Sequence, residues 1–302
     1  MPDTMTRIPV ALACDSNHFL PVTAAVTSLL ENAAPSTFYD VYILIQSALQ
    51  EELTEKLGEF TAQYPNSTIQ TIVIGTDTLK EAVIKSAHLT VVTLYRIFLP
   101  ELLPDVEKCL YLDTDTIVEK DLSSLYTWPI GDNYFAGVRA AANFGTTQRT
   151  KERMAKIGIP SMNHYVNNGV MLMNLAKMRE DGIEQRMLDL VPKGFECPCQ
   201  DIMNKVCYGK VMTIPLHYNV MQKYMKPTEQ AFFAQRGCRV CYSQEEYHQA
   251  KASPTVIHYV NRSDLELVKP WDTPSLPLAN RWWHYARLSP FWPEIVEKYG
   301  NH

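Results

Sequence analysis

No stretch of this chain approaches the roughly 18 consecutive apolar residues of a bilayer-spanning helix. The opening residues, Met1-Pro-Asp-Thr-Met-Thr-Arg7, carry no apolar leader core and run straight into a strand-like segment. The expectation from both absences is a protein made and kept in the cytoplasm. A basic excess is missing as well: 28 Lys and Arg face 33 Asp and Glu, for a net charge of -5. That balance excludes the electrostatic footprint of a general nucleic-acid binder. Neither GxGxxG nor a Walker A pattern occurs, so neither a dinucleotide fingerprint nor a P-loop is indicated. Cysteine is present in an odd number, seven, which suits a reduced compartment better than a disulfide framework. Cys197-Pro-Cys199 and Cys238-Arg-Val-Cys241 together suggest a structural zinc site, although the spacing of the first pair is unusual for one. Cys14 and Cys109 lie in apolar runs and read as core residues.

What is there is ordinary for a globular protein: 46% hydrophobic and 20% charged residues in a chain of 302, enough for one large domain and an appendage. Residues 8–14 read as a first strand. Val22, Val26, Leu29 and Leu30 then repeat at helical spacing, with Pro21 suited to the first turn and Asn32 near the end. Residues 39–46 form a second strand, Leu53, Leu57, Phe60 and Tyr64 a second amphipathic helix, and residues 68–74 a third strand. This alternation predicts an α/β fold with a mostly parallel sheet covered by helices on both faces. Residues 90–103 predict an apolar helix ending near Pro104. Its single basic residue, Arg96, calls for an anionic partner: a nearby carboxylate, a diphosphate, or solvent reached by snorkelling.

One stretch concentrates the chemistry. In Lys108-Cys-Leu-Tyr-Leu-Asp-Thr-Asp-Thr-Ile-Val118 a short apolar run delivers Asp113 and Asp115, one residue apart, at the end of a buried strand. Open α/β sheets bind ligands at that edge. Two carboxylates there would supply hard oxygen ligands to a divalent cation and leave room for a phosphate. The alternative is a capped turn and a solvated aspartate. Asp15 and Asn17, leaving the first strand, offer an acceptor and an amide to a base or ribose, or else form an Asx turn and helix cap. His258 ends a strand-like run, Asn167-Asn168-Gly169 reads locally as a turn, Gln200-Asp201 as a helix start, and Lys269 as a solvated lysine.

Taken in order, Ala13-Cys-Asp-Ser-Asn17, Tyr95-Arg96, Tyr111-Leu-Asp-Thr-Asp115, Asn167-Asn-Gly-Val170, Cys199-Gln-Asp-Ile202, His258-Tyr-Val-Asn261 and Lys269-Pro-Trp271 resemble the retaining glycosyltransferases of family 8, including bacterial lipopolysaccharide galactosyl- and glucosyltransferases. The resemblance implies a GT-A fold over residues 1–271 and a helical, aromatic-rich tail over 272–302. It implies Mn²⁺, or Mg²⁺ in its place, with UDP-glucose or UDP-galactose as donor and a saccharide or glycolipid hydroxyl as acceptor, in lipopolysaccharide or other surface-glycan synthesis. Asp113, Asp115 and His258 match the family's metal ligands. Lys269 matches its diphosphate-binding lysine. Ala13, Asp15, Asn17, His18, Arg96 and Thr114 complete the donor contacts. Asn167 and Gln200 match residues beside the donor sugar and its anomeric carbon.

The chain departs from the family where the sugar would sit. Cys199 stands where many relatives have an aspartate, and Asp201 takes that role only through a register shift. Asn143 is the candidate for another sugar-binding aspartate missing after the strand at 134–138. The segment between His258 and Lys269 is longer than the compact HxxGxxK form and lacks its glycine. Arg149, Lys151, Arg153 and Lys156 make a basic helix face suited to a phosphorylated acceptor or to solvent. The tail, with Trp282, Trp283, Tyr285, Phe291, Trp292 and Tyr299 beside Arg281, Arg287 and Lys298, suits either the cytoplasmic face of the inner membrane or packing on the main domain.

Overall fold

The computed structural model describes residues 5–15, 18–46, 51–75, 79, 82, 91–140, 148–221, 241–260 and 268–300. Asn17, Asn143, Cys238 and the segment 261–267 lie outside the described residues. Ten strands are described: β1 Thr6–Cys14, β2 Thr37–Ile45, β3 Ser67–Val73, β4 Lys108–Leu112, β5 Thr116–Val118, β6 Phe135–Arg139, β7 Val166–Asn174, β8 Val211–Thr213, β9 Val220–Met221 and β10 Val256–His258. Seven form one sheet in the order β3-β2-β1-β4-β7-β6-β8, and β5-β10-β9 form a second. In the large sheet β7 alone runs against its neighbours β4 and β6, while the β3-β2-β1-β4 half is parallel throughout. The mixed, mostly parallel sheet is the one the strand–helix alternation predicts.

Its strands are apolar on both sides because each face is covered. Val10, Leu12, Leu110, Leu112, Val170 and Leu172 point into one core, which includes the helix Phe19–Glu31. Their chain neighbours Ala11, Ala13, Cys109, Tyr111, Met171 and Met173 point into the other. The period-2 alternation of a strand thus divides each short run between two cores.

Over the described residues 91–103 the chain departs from the continuous α-helix expected of 90–103. Val91–Phe98 wind as a 3₁₀ segment, followed by a short α-helix, Leu99–Leu102. The β-branched side chains of Val91, Val92 and Thr93 crowd an α-helical turn, and Pro100 has no N–H to donate. With three residues per turn, Arg96 falls one turn beyond Thr93 and donates its Nε to the Thr93 carbonyl at 3.1 Å.

The tail folds back onto the first core. Trp282 and Ala286 on the helix Ala279–Leu288, Ile295 on the helix Trp292–Tyr299 and Phe291 just before the latter are each 0% exposed. Phe291 meets Phe19 edge-to-face at 5.6 Å, and Glu294 pairs with Lys56. Of the rings that suggested a membrane-facing tail, Trp282, Tyr285 and Phe291 are buried, while Trp283, Trp292 and Tyr299 pack half-buried against the same core. The structure gives no support to membrane contact through them. Among the described residues, no helix is long and apolar enough to cross a membrane.

Candidate active site

The chain places Asp113 and Asp115 at the carboxyl end of β4, where the large sheet hands over to the small one. The Asp113 N–H donates to the Gly169 carbonyl at 2.7 Å, and the Thr116 hydroxyl donates to the Asp113 carbonyl at 2.8 Å, closing the turn. Thr114 is half-buried between the two aspartates. The next residues form β5, on which β10 pairs antiparallel with His258 opposite Thr116. That register delivers a histidine from far downstream to the residue beside Asp115. Its Nε2 lies 3.1 Å from Asp115 Oδ1 and 3.6 Å from Asp113 Oδ2. Ligand atoms of Asp113, Asp115 and His258 all fall within 4.8 Å of one another. Two carboxylates and an imidazole are a donor set that suits Mn²⁺ or a similar borderline divalent cation.

Positive charge surrounds the pair. Arg96, 5% exposed, donates its Nη2 to Asp113 Oδ1 at 2.7 Å and its Nη1 to the Asn168 carbonyl, with its guanidinium 4.1 Å from the Tyr111 ring centroid. Burial alone would lower the Arg96 guanidinium; Asp113 and Tyr111 outweigh it and hold it above its ordinary value. The anionic partner that Arg96 requires is therefore a carboxylate of the motif. Lys269 donates to Asp115 Oδ2 and, at 3.2 Å, to the Tyr259 carbonyl. Burial opposes ionisation of Asp115, but Lys269 and His258 together hold its carboxyl well below the usual carboxylate range. The Lys269 ammonium already acts as one cation at this carboxylate.

A polar shelf lies beside the pair. Asn167 is on β7 rather than in a turn, and its Nδ2 donates to Gln200 Oε1 at 3.1 Å. Gln200, on the helix Pro198–Val206, donates its Nε2 to the Tyr165 hydroxyl at 3.0 Å. Asp201 points into the fold. Its Oδ2 accepts from the Cys197 N–H at 2.9 Å, while its Oδ1 accepts from Arg153 at 3.0 Å and from Tyr165. Arg153 of the basic helix Gln148–Ile157 is thereby an internal partner, whereas Lys151 and Lys156 are exposed. Asp201 has a 1% exposed side chain, so Asp201→Asn leaves the largely buried Arg153 with only the half-exposed Glu196 carboxylate, 3.9 Å away, as counter-charge. We expect a loss of about 3 kcal/mol, read from the midpoint of urea unfolding.

Cys199 is 5% exposed, with its Sγ 3.7 Å from Met203 Sδ. Burial pushes its thiol up to about 11, against a smaller downward pull from Arg96. A thiol raised this far stays protonated, and poorly nucleophilic, at neutral pH. Iodoacetamide should therefore leave Cys199 unmodified in the native protein at pH 8 and label it only as the pH nears 11, as peptide mass mapping would show. Among the described residues, the one group of three or more candidate metal ligands is Asp113, Asp115 and His258, and no cysteine belongs to it.

At the other end, Ala13 is buried on β1 and Asp15 follows it. The Asp15 Oδ1 accepts from the His18 N–H at 3.0 Å and meets His18 Nδ1 at 2.7 Å. The His18 ring stands edge-on to Trp271 at 6.3 Å, and Trp271 in turn packs on Trp282 at 5.4 Å. Sequence reasoning passed over two residues here. Trp271, which closes the Lys-Pro-Trp motif in the sequence, walls the His18 side. Asn219, 0% exposed, bridges His258 and Asn167. Its only signal was an asparagine just before the two-residue strand β9.

The open α/β sheet is of the GT-A glycosyltransferase type, as its likeness to two solved glycosyltransferases shows. The galactosyltransferase LgtC, solved in complex with donor and acceptor sugar analogues, matches with a TM-score of 0.73 and 23% identity, over 93% of this chain and 96% of that one. The bifunctional glycosyltransferase WbbM matches with a TM-score of 0.77 and 22% identity, over 98% of this chain and 52% of that one. In sequence, General stress protein A of Bacillus subtilis (strain 168) is 21% identical over 288 residues, covering 91% of this chain and 92% of the relative. Glycosyltransferase GlyE of Streptococcus pneumoniae serotype 4 is 25% identical over 299 residues, and the match spans 97% of this chain but 64% of that protein. A family profile described as "Glycosyl transferase family 8" matches residues 9–274. This chain belongs to glycosyl transferase family 8.

Proposed function

We propose that the chain is a retaining hexosyltransferase that moves glucose or galactose from a UDP-sugar to a saccharide hydroxyl of a surface glycan, lipopolysaccharide being the setting this reading favours. One observation carries the reading furthest: Asp113, Asp115, His258 and Lys269, remote in sequence, converge on one sheet edge in a family 8 chain. Asp113, Asp115 and His258 would hold Mn²⁺, or Mg²⁺ in its place. Bound there, the cation would supply Lewis-acid charge to a diphosphate leaving group. Lys269 would add its own charge to the same oxygens. Asp15, His18 and Trp271 would receive the uridine, and Asn167 and Gln200 the sugar.

The side chains near the sugar position favour same-face transfer over a covalent intermediate. A double displacement needs a nucleophile opposite the leaving group. Gln200 is an amide, Cys199 is a protonated thiol, and both Asp201 oxygens are bound within the fold. In same-face transfer the bond from the anomeric carbon to the phosphate oxygen breaks and the acceptor oxygen bonds to that carbon. The acceptor proton passes to the departing β-phosphate oxygen. The test is UDP release from UDP-glucose and UDP-galactose with Mn²⁺. We expect metal-dependent turnover that chelation abolishes, with no glycosyl–protein adduct by mass spectrometry. Tight UDP-sugar binding without turnover would instead make the chain a non-catalytic binder, the reading Cys199 favours.

A further inference from the structure

The side-chain amides behind the metal-ligand cluster form one continuous hydrogen-bonded chain. His258 Nδ1 meets Asn219 Oδ1 at 3.0 Å, Asn219 Nδ2 donates to Asn167 Oδ1 at 2.8 Å, and Asn167 Nδ2 donates to Gln200 Oε1 at 3.1 Å. Gln200 Nε2 then donates to the Tyr165 hydroxyl at 3.0 Å, which donates to Asp201. An amide can in principle be turned either way, so the direction of such a chain needs an anchor. The Gly169 N–H, which can only donate, reaches Asn167 Oδ1 at 2.9 Å. That oxygen is therefore the acceptor, and the remaining orientations follow. The Asn219 nitrogen must face Asn167, and its oxygen must face His258. An oxygen there can only accept, so the His258 Nδ1 carries a hydrogen, which leaves Nε2, the nitrogen facing Asp113 and Asp115, as the one that would ligate a cation.

We infer that Asn219 is a positioning residue that sets, through the two ends of one amide, both the His258 tautomer a divalent cation requires and the orientation of the Asn167–Gln200 pair. This rests on the metal-dependent reading above. Partners that hold the second nitrogen of a ligating histidine commonly change metal affinity ten- to a hundredfold when lost. Asn219 differs from such a partner in ending on a second functional group as well. The fold thereby links the diphosphate end of the site to the sugar end through a single buried side chain.

Two variants separate the two ends. Asn219→Asp still accepts from His258 but cannot donate to Asn167, and its carboxylate oxygen faces the Asn167 oxygen. Asn219→Ala loses both contacts. Mn²⁺ affinity is measured in the presence of UDP by the electron paramagnetic resonance signal of free Mn²⁺, and kcat at saturating Mn²⁺ and donor. Circular dichroism checks that each variant is folded. For Asn219→Ala the expected result is a loss of about tenfold or more in Mn²⁺ affinity together with a loss of turnover. For Asn219→Asp it is Mn²⁺ affinity within about threefold of wild type with kcat down by about tenfold or more, a split that general loosening of the fold would not produce. Wild-type Mn²⁺ affinity in folded Asn219→Ala, or equal losses of affinity in both variants, would overturn the inference alone. A wild-type protein that binds no Mn²⁺ would overturn the metal reading and the inference with it.

Discussion

Asp115→Asn is expected to reduce metal-dependent transfer by about a thousandfold while the chain stays folded. A carboxylate-to-amide change keeps shape but removes the charge that makes the oxygen a strong ligand for a hard cation. Lewis-acid stabilisation of a leaving oxygen is worth several kcal/mol, and each 1.36 kcal/mol is tenfold in rate, which sets the expected scale. Asp113→Asn should be comparable in turnover but harsher in stability. Asp113 is the counter-charge of Arg96, whose side chain is 6% exposed, and an uncompensated buried charge costs about 3 kcal/mol or more. Lys269, 15% exposed against 6% for Arg96, is the less deeply buried of the two cations, so Asp115→Asn is the cleaner test. Steady-state UDP release and thermal unfolding read the two effects separately. Turnover within tenfold of wild type in Asp115→Asn would sink the assignment of that carboxylate to the metal.

Gly169→Ala is expected to disable the same site without replacing any of the three side chains that would hold the metal. A Cβ at Gly169 would lie 2.0 Å from His258 Cε1, 2.7 Å from its Nδ1 and 2.7 Å from Asp113 Oδ2. No contact between real atoms is that close. The backbone cannot withdraw freely, because the Gly169 carbonyl accepts from the Asp113 N–H and its N–H donates to Asn167. His258 must therefore move off the carboxylates, and we expect Mn²⁺ affinity to fall by about tenfold to a hundredfold. Overpacking should also cost about 1–3 kcal/mol of stability. Gly58, on the helix Glu51–Gln63, has nothing within 4 Å of its would-be Cβ. Gly58→Ala is the control: unchanged metal binding and a gain of about 0.5–1 kcal/mol, since glycine weakens a helix interior. Equal Mn²⁺ affinity in Gly169→Ala and wild type would show that the close approach of β7 to His258 is not needed for the cation.

The strands β1 to β4, the helix after β1 and the aspartate pair ending β4 were legible because each is written in consecutive residues. Apolar runs with turn residues at their ends need no distant partner to be recognised. The 3₁₀ winding of Val91–Phe98 is not legible in the sequence because apolar periodicity does not distinguish it from an α-helix, whereas β-branching and Pro100 decide the backbone. Asp201 looked available because nothing local shows that Arg153, Tyr165 and the Cys197 N–H all converge on it. The tail aromatics had two readings for the same reason: composition does not say which surface a ring faces.

By itself the sequence determined that a mostly parallel α/β sheet would form and that two aspartates would stand at the end of a buried strand. An ordered set of short motifs also pointed to the family. Tertiary structure decided what those aspartates face. The β10–β5 register places His258 beside Asp115, the Gly169 carbonyl ties Asp113 to β7, and the Gly169 N–H gives the Asn219–Asn167–Gln200 chain its direction. The physical reason is range. Alternation and strand ends follow from neighbouring residues, while a ligand cluster and the polarity of a hydrogen-bond chain depend on registers between strands far apart in sequence, which no local pattern records.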